Sequence, residues 1–182
     1  EKIALRGDLS SLHLLKFDIL KTPSIGKRFS LNADDALIKS CFDGDIIGLN
    51  IAISRGAKVN RRNKTKDKPI SGHYPLTIAS QQGNFEICKI LIEEYEADID
   101  VMTPSGWTSL CYACKEGHQE IVKLILNNIR NIDIVSSKNK CGKTALMWAS
   151  REGHLKIVDQ LLRKGASIEA KTRDGGTAVH LA

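Results

Sequence analysis

Apolar residues in this chain recur at helical spacing, in short bursts. Ile87, Ile90 and Leu91 fall on one side of a helix, as do Ile121, Leu124 and Ile125, then Ile157, Val158 and Leu161. A shorter apolar stretch precedes each burst, and a glycine divides the two. "PLTIASQQGNFEICKILI", "SLCYACKEGHQEIVKLIL" and "ALMWASREGHLKIVDQLL" align on Gly83, Gly117 and Gly153, which stand 34 and 36 residues apart. A recurrence of that length marks a repeat architecture. A further copy, "ALIKSCFDGDIIGLNIAI", precedes these on Gly44, and another begins at "GGTAVHLA" and runs to Ala182. "IALRGDLSSLHLLKF" places Gly7-Asp8 where Gly44-Asp45 falls in its copy, which predicts a degenerate partial unit over residues 1–31.

Every unit predicts the same local structure. Thr108, Thr144 and Thr177 sit where a hydroxyl caps a first short helix, and Pro75 falls at a first helical position, where its missing N–H costs nothing. The shared glycine ends that helix in the left-handed conformation, a second helix follows, and a polar turn with an extended segment leads on. A unit this small cannot bury its apolar face alone. Neighbours must therefore stack into an all-α solenoid of helix-turn-helix units.

These units resemble ankyrin repeats over residues 32–182, most closely in "GKTALMWASREGHLKIVDQLLRKGASIEAKTRDGGTAVHLA". The resemblance implies units of about 32–68, 69–103, 104–138 and 139–171, a partial unit over 172–182, and extended or β-hairpin connections. The family's Thr-Pro-Leu-His appears here as "YPLT", "TSLC", "TALM" and "TAVH", so only the last keeps its histidine. That departure predicts fewer hydrogen bonds between repeats in the middle of the array. His118 and His154 follow the repeat glycines at a position the family often fills with histidine, and read as structural.

Composition agrees with a folded domain. The chain has 182 residues, 42% of them hydrophobic and 26% charged, enough for one substantial core. No apolar run approaches the roughly 20 residues of a membrane span, so membrane insertion is not expected. The opening "EKIALRGDLS" lacks both a signal peptide's apolar centre and an initiating methionine, and reads as part of a longer protein. Cys41, Cys88, Cys111, Cys114 and Cys141 lie mostly among apolar neighbours, as expected of reduced, packed thiols in a cytoplasmic or nuclear protein, without disulfides.

Motifs with possible chemistry dissolve on inspection. Gly142-Lys143-Thr144 mimics the end of a phosphate-binding loop, but that loop needs a glycine at position 137, where Ser137 stands, and a buried strand ahead of it. Cys111 and Cys114, with His118 nearby, have metal-like spacing, but no second pair completes four ligands, and the repeat register makes Cys114 a small packing residue. No nucleophile-turn motif occurs. Neither a catalytic residue, nor a metal, nor a cofactor is expected.

Charge is concentrated in one connection. "AKVNRRNKTKDKPISGHYP" is longer than its counterparts and carries Lys58, Arg61, Arg62, Lys64, Lys66 and Lys68 against Asp67, nearly the whole formal charge of +6. It reads either as a solvated loop or as a basic finger that steers an acidic or phosphorylated partner. The resemblance implies a concave face built from turn tips and first helices. Its positions here are His73, Ile78, Gln81 and Gln82; Ser105, Trp107, Tyr112, Lys115 and Glu116; and Lys140, Lys143, Trp148, Arg151 and Glu152. Both tryptophans are in this set, and Trp, Tyr and Arg dominate binding hot spots. The alternative for Tyr112 and Trp148 is packing between repeats, whereas Trp107 is expected to project, so that truncating it leaves stability nearly intact.

Three functions follow as expectations. The first is a non-catalytic scaffold that binds a partner protein, or another domain of its own chain, through the concave face. The second is a sensor that takes a phosphorylated nucleotide or similar anionic ligand on Trp107 with the basic finger, an arrangement some ankyrin arrays resemble. Nucleic-acid binding is the weakest, because the charge sits in one loop and no dedicated motif accompanies it.

Overall fold

The computed structural model describes residues 32–64 and 71–182. Nine α-helices are assigned among them: α1 Ala33–Asp43, α2 Ile46–Ser54, α3 Pro75–Gln82, α4 Phe85–Glu93, α5 Ser109–Glu116, α6 Gln119–Asn128, α7 Ala145–Arg151, α8 Leu155–Arg163 and α9 Ala178–Leu181. The expected partial unit over residues 1–31 lies outside the described residues.

The helices form two layers. The first helix of each unit packs on the next, from α1 through α3, α5 and α7 to α9, and the second helices α2, α4, α6 and α8 stack alongside. Burial follows the apolar bursts: Leu37, Leu76, Leu110 and Leu146 are buried in the first layer, and Ile87, Ile121 and Ile157 in the second. The two extra residues between Gly117 and Gly153 fall in the connection after α6, where Ile132–Ser136 forms a 3-10 turn that buries Ile134 and Val135.

Caps fix where the helices start. Thr108 Oγ1 accepts from the Cys111 N–H at 3.1 Å, and Thr144 Oγ1 from the Met147 N–H at 3.3 Å. Thr177 differs, because its hydroxyl pairs with His180 Nδ1 at 2.8 Å. The family histidine proves replaceable at this end of the helix. The N–H of the capping residue finds Thr77 Oγ1 in α3, Met147 Sδ in α7 and His180 Nδ1 in α9, at 2.8, 3.4 and 3.3 Å.

Three bonds between units come from the residues that follow Gly83, Gly117 and Gly153. Asn84 Nδ2 donates to the Cys41 carbonyl at 2.8 Å, His118 Nε2 to the Gln81 carbonyl at 3.2 Å, and His154 Nε2 to the Lys115 carbonyl at 3.2 Å. The middle of the array is thus tied by bonds other than those of Thr-Pro-Leu-His, from His118 and His154. These bonds need the glycines twice over. Gly83 and Gly117 have φ of 78° and 81°, a left-handed conformation that favours glycine, and a Cβ on either would stand 2.6 or 2.7 Å from the following histidine's ring.

The connections are tighter than hairpins, and no strand is assigned among the described residues. Thr103 N–H donates to the Trp107 carbonyl, Asn139 N–H to that of Lys143 and Thr172 N–H to that of Gly176, at 2.9, 3.0 and 2.8 Å. Asn63 N–H donates to the His73 carbonyl at 2.7 Å in the same manner, but across a longer excursion. This equivalence places His73, Trp107 and Lys143 in one register and identifies the finger as an insertion into an otherwise standard turn.

Candidate binding face

Turn residues and first-helix residues interlock to make one row of rings. In register, Ile78, Tyr112 and Trp148 occupy the same position of α3, α5 and α7, as His73, Trp107 and Lys143 do in the turns. The turn residue of one unit reaches the helix residue of the next. His73 lies 5.2 Å from Tyr112 between ring centroids, and Trp107 lies 4.7 Å from Trp148. Within its own unit Trp107 stacks on Tyr112 at 4.8 Å, with 25° between the planes, and Lys143 Nζ stands 4.6 Å from the centre of the Trp148 ring. Arg151 Cζ lies 5.5 Å from the same ring. The row therefore runs His73, Tyr112, Trp107, Trp148 across three units and ends under two cations.

Burial divides the expected face into floor and rim. His73, Ile78, Tyr112 and Trp148 are buried and form the floor. Gln81, Trp107, Lys115 and Lys143 are half-buried, and Gln82, Ser105, Glu116, Lys140, Arg151 and Glu152 are exposed. Tyr112 and Trp148 thus take the alternative of packing between repeats, and Trp107 is held by two rings rather than projecting freely. Burial pushes the Tyr112 hydroxyl up to about 12, and that hydroxyl lies 3.2 Å from His73 Nε2. Burial also lowers the His73 pKa, because the imidazolium loses hydration there.

Two buried nitrogens on this floor, His73 Nδ1 and Trp148 Nε1, have no hydrogen-bond partner among the described residues. Cations on the rim are unequally engaged. Lys115 Nζ pairs with Glu116 at 2.6 Å, and Arg151 Nε is 3.8 Å from Glu152, whereas Lys140, Lys143 and Arg173 form no ion pair among the described residues. The sequence reading passed over Arg173, whose backbone N would lie 2.8 Å from a Cβ on Gly142, so the Arg173 turn is seated on the Lys140–Lys143 turn. Carrying the register one unit further would have found it, because Arg173 is the counterpart of Lys140.

The basic finger is only partly described, and Lys66 and Lys68 lie outside the described residues. Arg61 Nη1 bonds Asp34 Oδ2 at 2.6 Å, and the other Asp34 oxygen accepts from the Lys58 N–H at 2.8 Å. Arg61 therefore anchors the base of the finger to α1, and Arg62 and Lys64 are exposed.

The cysteines are free, and all but Cys141 are buried. Burial pushes the Cys88 thiol up to about 12 and raises those of Cys41, Cys111 and Cys114, which makes them packing residues and not nucleophiles. Among the described residues no three His, Cys, Asp or Glu side chains converge as a metal site, and no helix is long and apolar enough to cross a membrane.

Comparison with known proteins agrees with this geometry. The family model described as ankyrin repeats in three copies matches residues 37–138, and the model for a single ankyrin repeat matches residues 141–173. Alpha-latrocrustotoxin-Lt1a of Latrodectus tredecimguttatus is 33% identical over 140 residues, which is 71% of this chain and 9% of the toxin. Human ankyrin repeat and KH domain-containing protein 1 is 32% identical over 109 residues, 59% of this chain and 4% of that protein. The probable E3 ubiquitin-protein ligase XBOS33 of Oryza sativa subsp. japonica is 34% identical over 67 residues, 35% of this chain and 13% of the ligase. The chain spans a small part of each relative's length.

Proposed function

Because the chain belongs to the ankyrin-repeat family, whose repeats are in general protein-interaction modules, we propose that it is a non-catalytic binding module whose turn and first-helix face receives a partner protein or another domain of its own chain. The observation that carries this reading is the ring row from His73 to Trp148, a continuous aromatic floor across three units beneath an exposed polar rim. Rigid aromatic surface backed by its own packing binds with little loss of side-chain freedom, which is why such residues concentrate binding energy. The rim residues Gln82, Ser105, Lys140 and Arg151 give the partner its polar contacts. An excess of cations makes that partner acidic or phosphorylated.

The nucleotide-sensor reading is the weaker of the two. A base stacking on Trp107 meets an indole already engaged by Tyr112 and Trp148, and Arg61 is already paired with Asp34. The two functions separate in one experiment. A binding module recovers a specific protein from cell extract, loses it when Ser105→Arg places bulk on the exposed rim, and shows no saturable tryptophan quenching with oligophosphorylated nucleotides. Saturable quenching that depends on Trp107 and Arg62 reverses the assignment.

A further inference from the structure

The fourth unit differs from its neighbours in charge. Pro104 and Ser105 fill the turn before Trp107, whereas Lys140 and Lys143 fill the next and Arg173 sits on Gly142 in the one after. Lys143 and Arg151 both stand over the Trp148 ring, at 4.6 and 5.5 Å from it. Trp148 is 8% exposed, and its indole N–H has no acceptor among the described residues. A donor held out of water without a partner is costly, and here it lies in the same side chain on which two cations converge.

We propose that Trp148, Lys143 and Arg151 form the anchor for a carboxylate of an acidic peptide segment, with the indole N–H as the directional donor and the two cations as its counter-charge. The anchor rests on the reading of this face as a protein-binding surface and adds to it the partner's chemistry. Among the described residues the nearby carboxylates do not fill the role: Glu152 reaches Arg151 at 3.8 Å, and Glu116 is taken by Lys115. An incoming carboxylate draws Lys143 off the ring face, exposes the indole edge, accepts its N–H and pairs with the cations. Lys140 and Arg173 extend the positive field beyond the anchor on the α7 side.

The test uses the two indole N–H resonances of the full chain, assigned with Trp107→Phe and Trp148→Phe. The probes are a blocked short peptide of glutamates around one leucine, its glutamine counterpart, and inorganic phosphate. The glutamate peptide is expected to move the Trp148 indole resonance downfield saturably and to bind at least about tenfold more tightly than the glutamine peptide. Lys143→Gln with Arg151→Gln abolishes that difference while the amide spectrum shows the variant still folded. An unmoved Trp148 resonance, equal binding of both peptides, or phosphate acting as strongly as the peptide overturns the anchor. If both peptides bind equally and perturb Trp107, the face still binds protein and only the anchor fails. Extract recovery that is insensitive to Ser105→Arg sinks the face itself.

Discussion

Trp107 and Trp148 lie 41 residues apart in sequence, yet their ring centroids are 4.7 Å apart. The contact joins a turn of one repeat to the first helix of the next, so the surface offered to a partner is also part of the joint between units. Binding residues and structural residues are here largely the same side chains, and single truncations must be read on both axes.

Trp107→Ala is accordingly expected to cost stability, on the order of 2 kcal/mol, because the indole loses two ring contacts and its burial. Trp148→Ala should cost more, about 3 kcal/mol, as the more deeply buried ring. Urea denaturation of both variants checks the order. A Trp107→Ala protein as stable as the parent would restore the freely projecting side chain expected from sequence.

The repeat glycines should differ among themselves. Gly153→Ala meets nothing within 4 Å and costs only the left-handed backbone, roughly 1–2 kcal/mol. Gly117→Ala adds a collision with the His154 ring at 2.7 Å, for roughly a further 1–3 kcal/mol. Adding His154→Ala should then return part of the loss in the Gly117 background and none in the Gly153 background, as read by denaturation midpoints in a double-mutant cycle.

Acid should weaken the joint at His73. Its folded pKa is lowered by burial, so the unfolded chain takes up the proton first as pH falls. This contribution to stability is complete above the ordinary histidine value of about 6.5 and declines as pH drops through that value toward the lowered one. His73→Gln should flatten the pH dependence of the melting temperature between about pH 7 and 5. An unchanged slope would remove His73 as its source.

Thiol chemistry should separate Cys141 from the rest. In the native protein a small alkylating reagent should add once, at Cys141, and Cys41, Cys88, Cys111 and Cys114 should react only after denaturant, as read by mass spectrometry of digested protein. Native labelling of Cys111 or Cys114 would contradict their packing between α5 and its neighbours.

The repeating parts of this structure were legible because they recur. Caps at Thr108 and Thr144, turn glycines at Gly83 and Gly117, and the apolar faces of the second helices are set within a few residues of chain, and each copy confirms the others. What joins one unit to the next was not legible in the same way. Register shows that Trp107 and Tyr112 share a face, but not that a turn residue leans forward onto the next helix, since that depends on how the units stack. Nor does local sequence show that Asp34, 27 residues away, holds Arg61. The finger's charge was visible in composition, while the pairing of one of its cations depends on three-dimensional packing.

The central claim is that the face lined by Gln82, Ser105 and the ring row is where a partner protein sits. Site-specific photo-crosslinking reads this directly. A benzophenone side chain is placed at Gln82 or Ser105 on the rim, and at exposed Lys123 or Lys156 on the second helices as controls. In cell extract the rim positions should crosslink to one and the same protein, and the controls should not. Crosslinks to that protein from Lys123 and Lys156 but not from Gln82 and Ser105 would move the binding surface to the second helices and contradict the account.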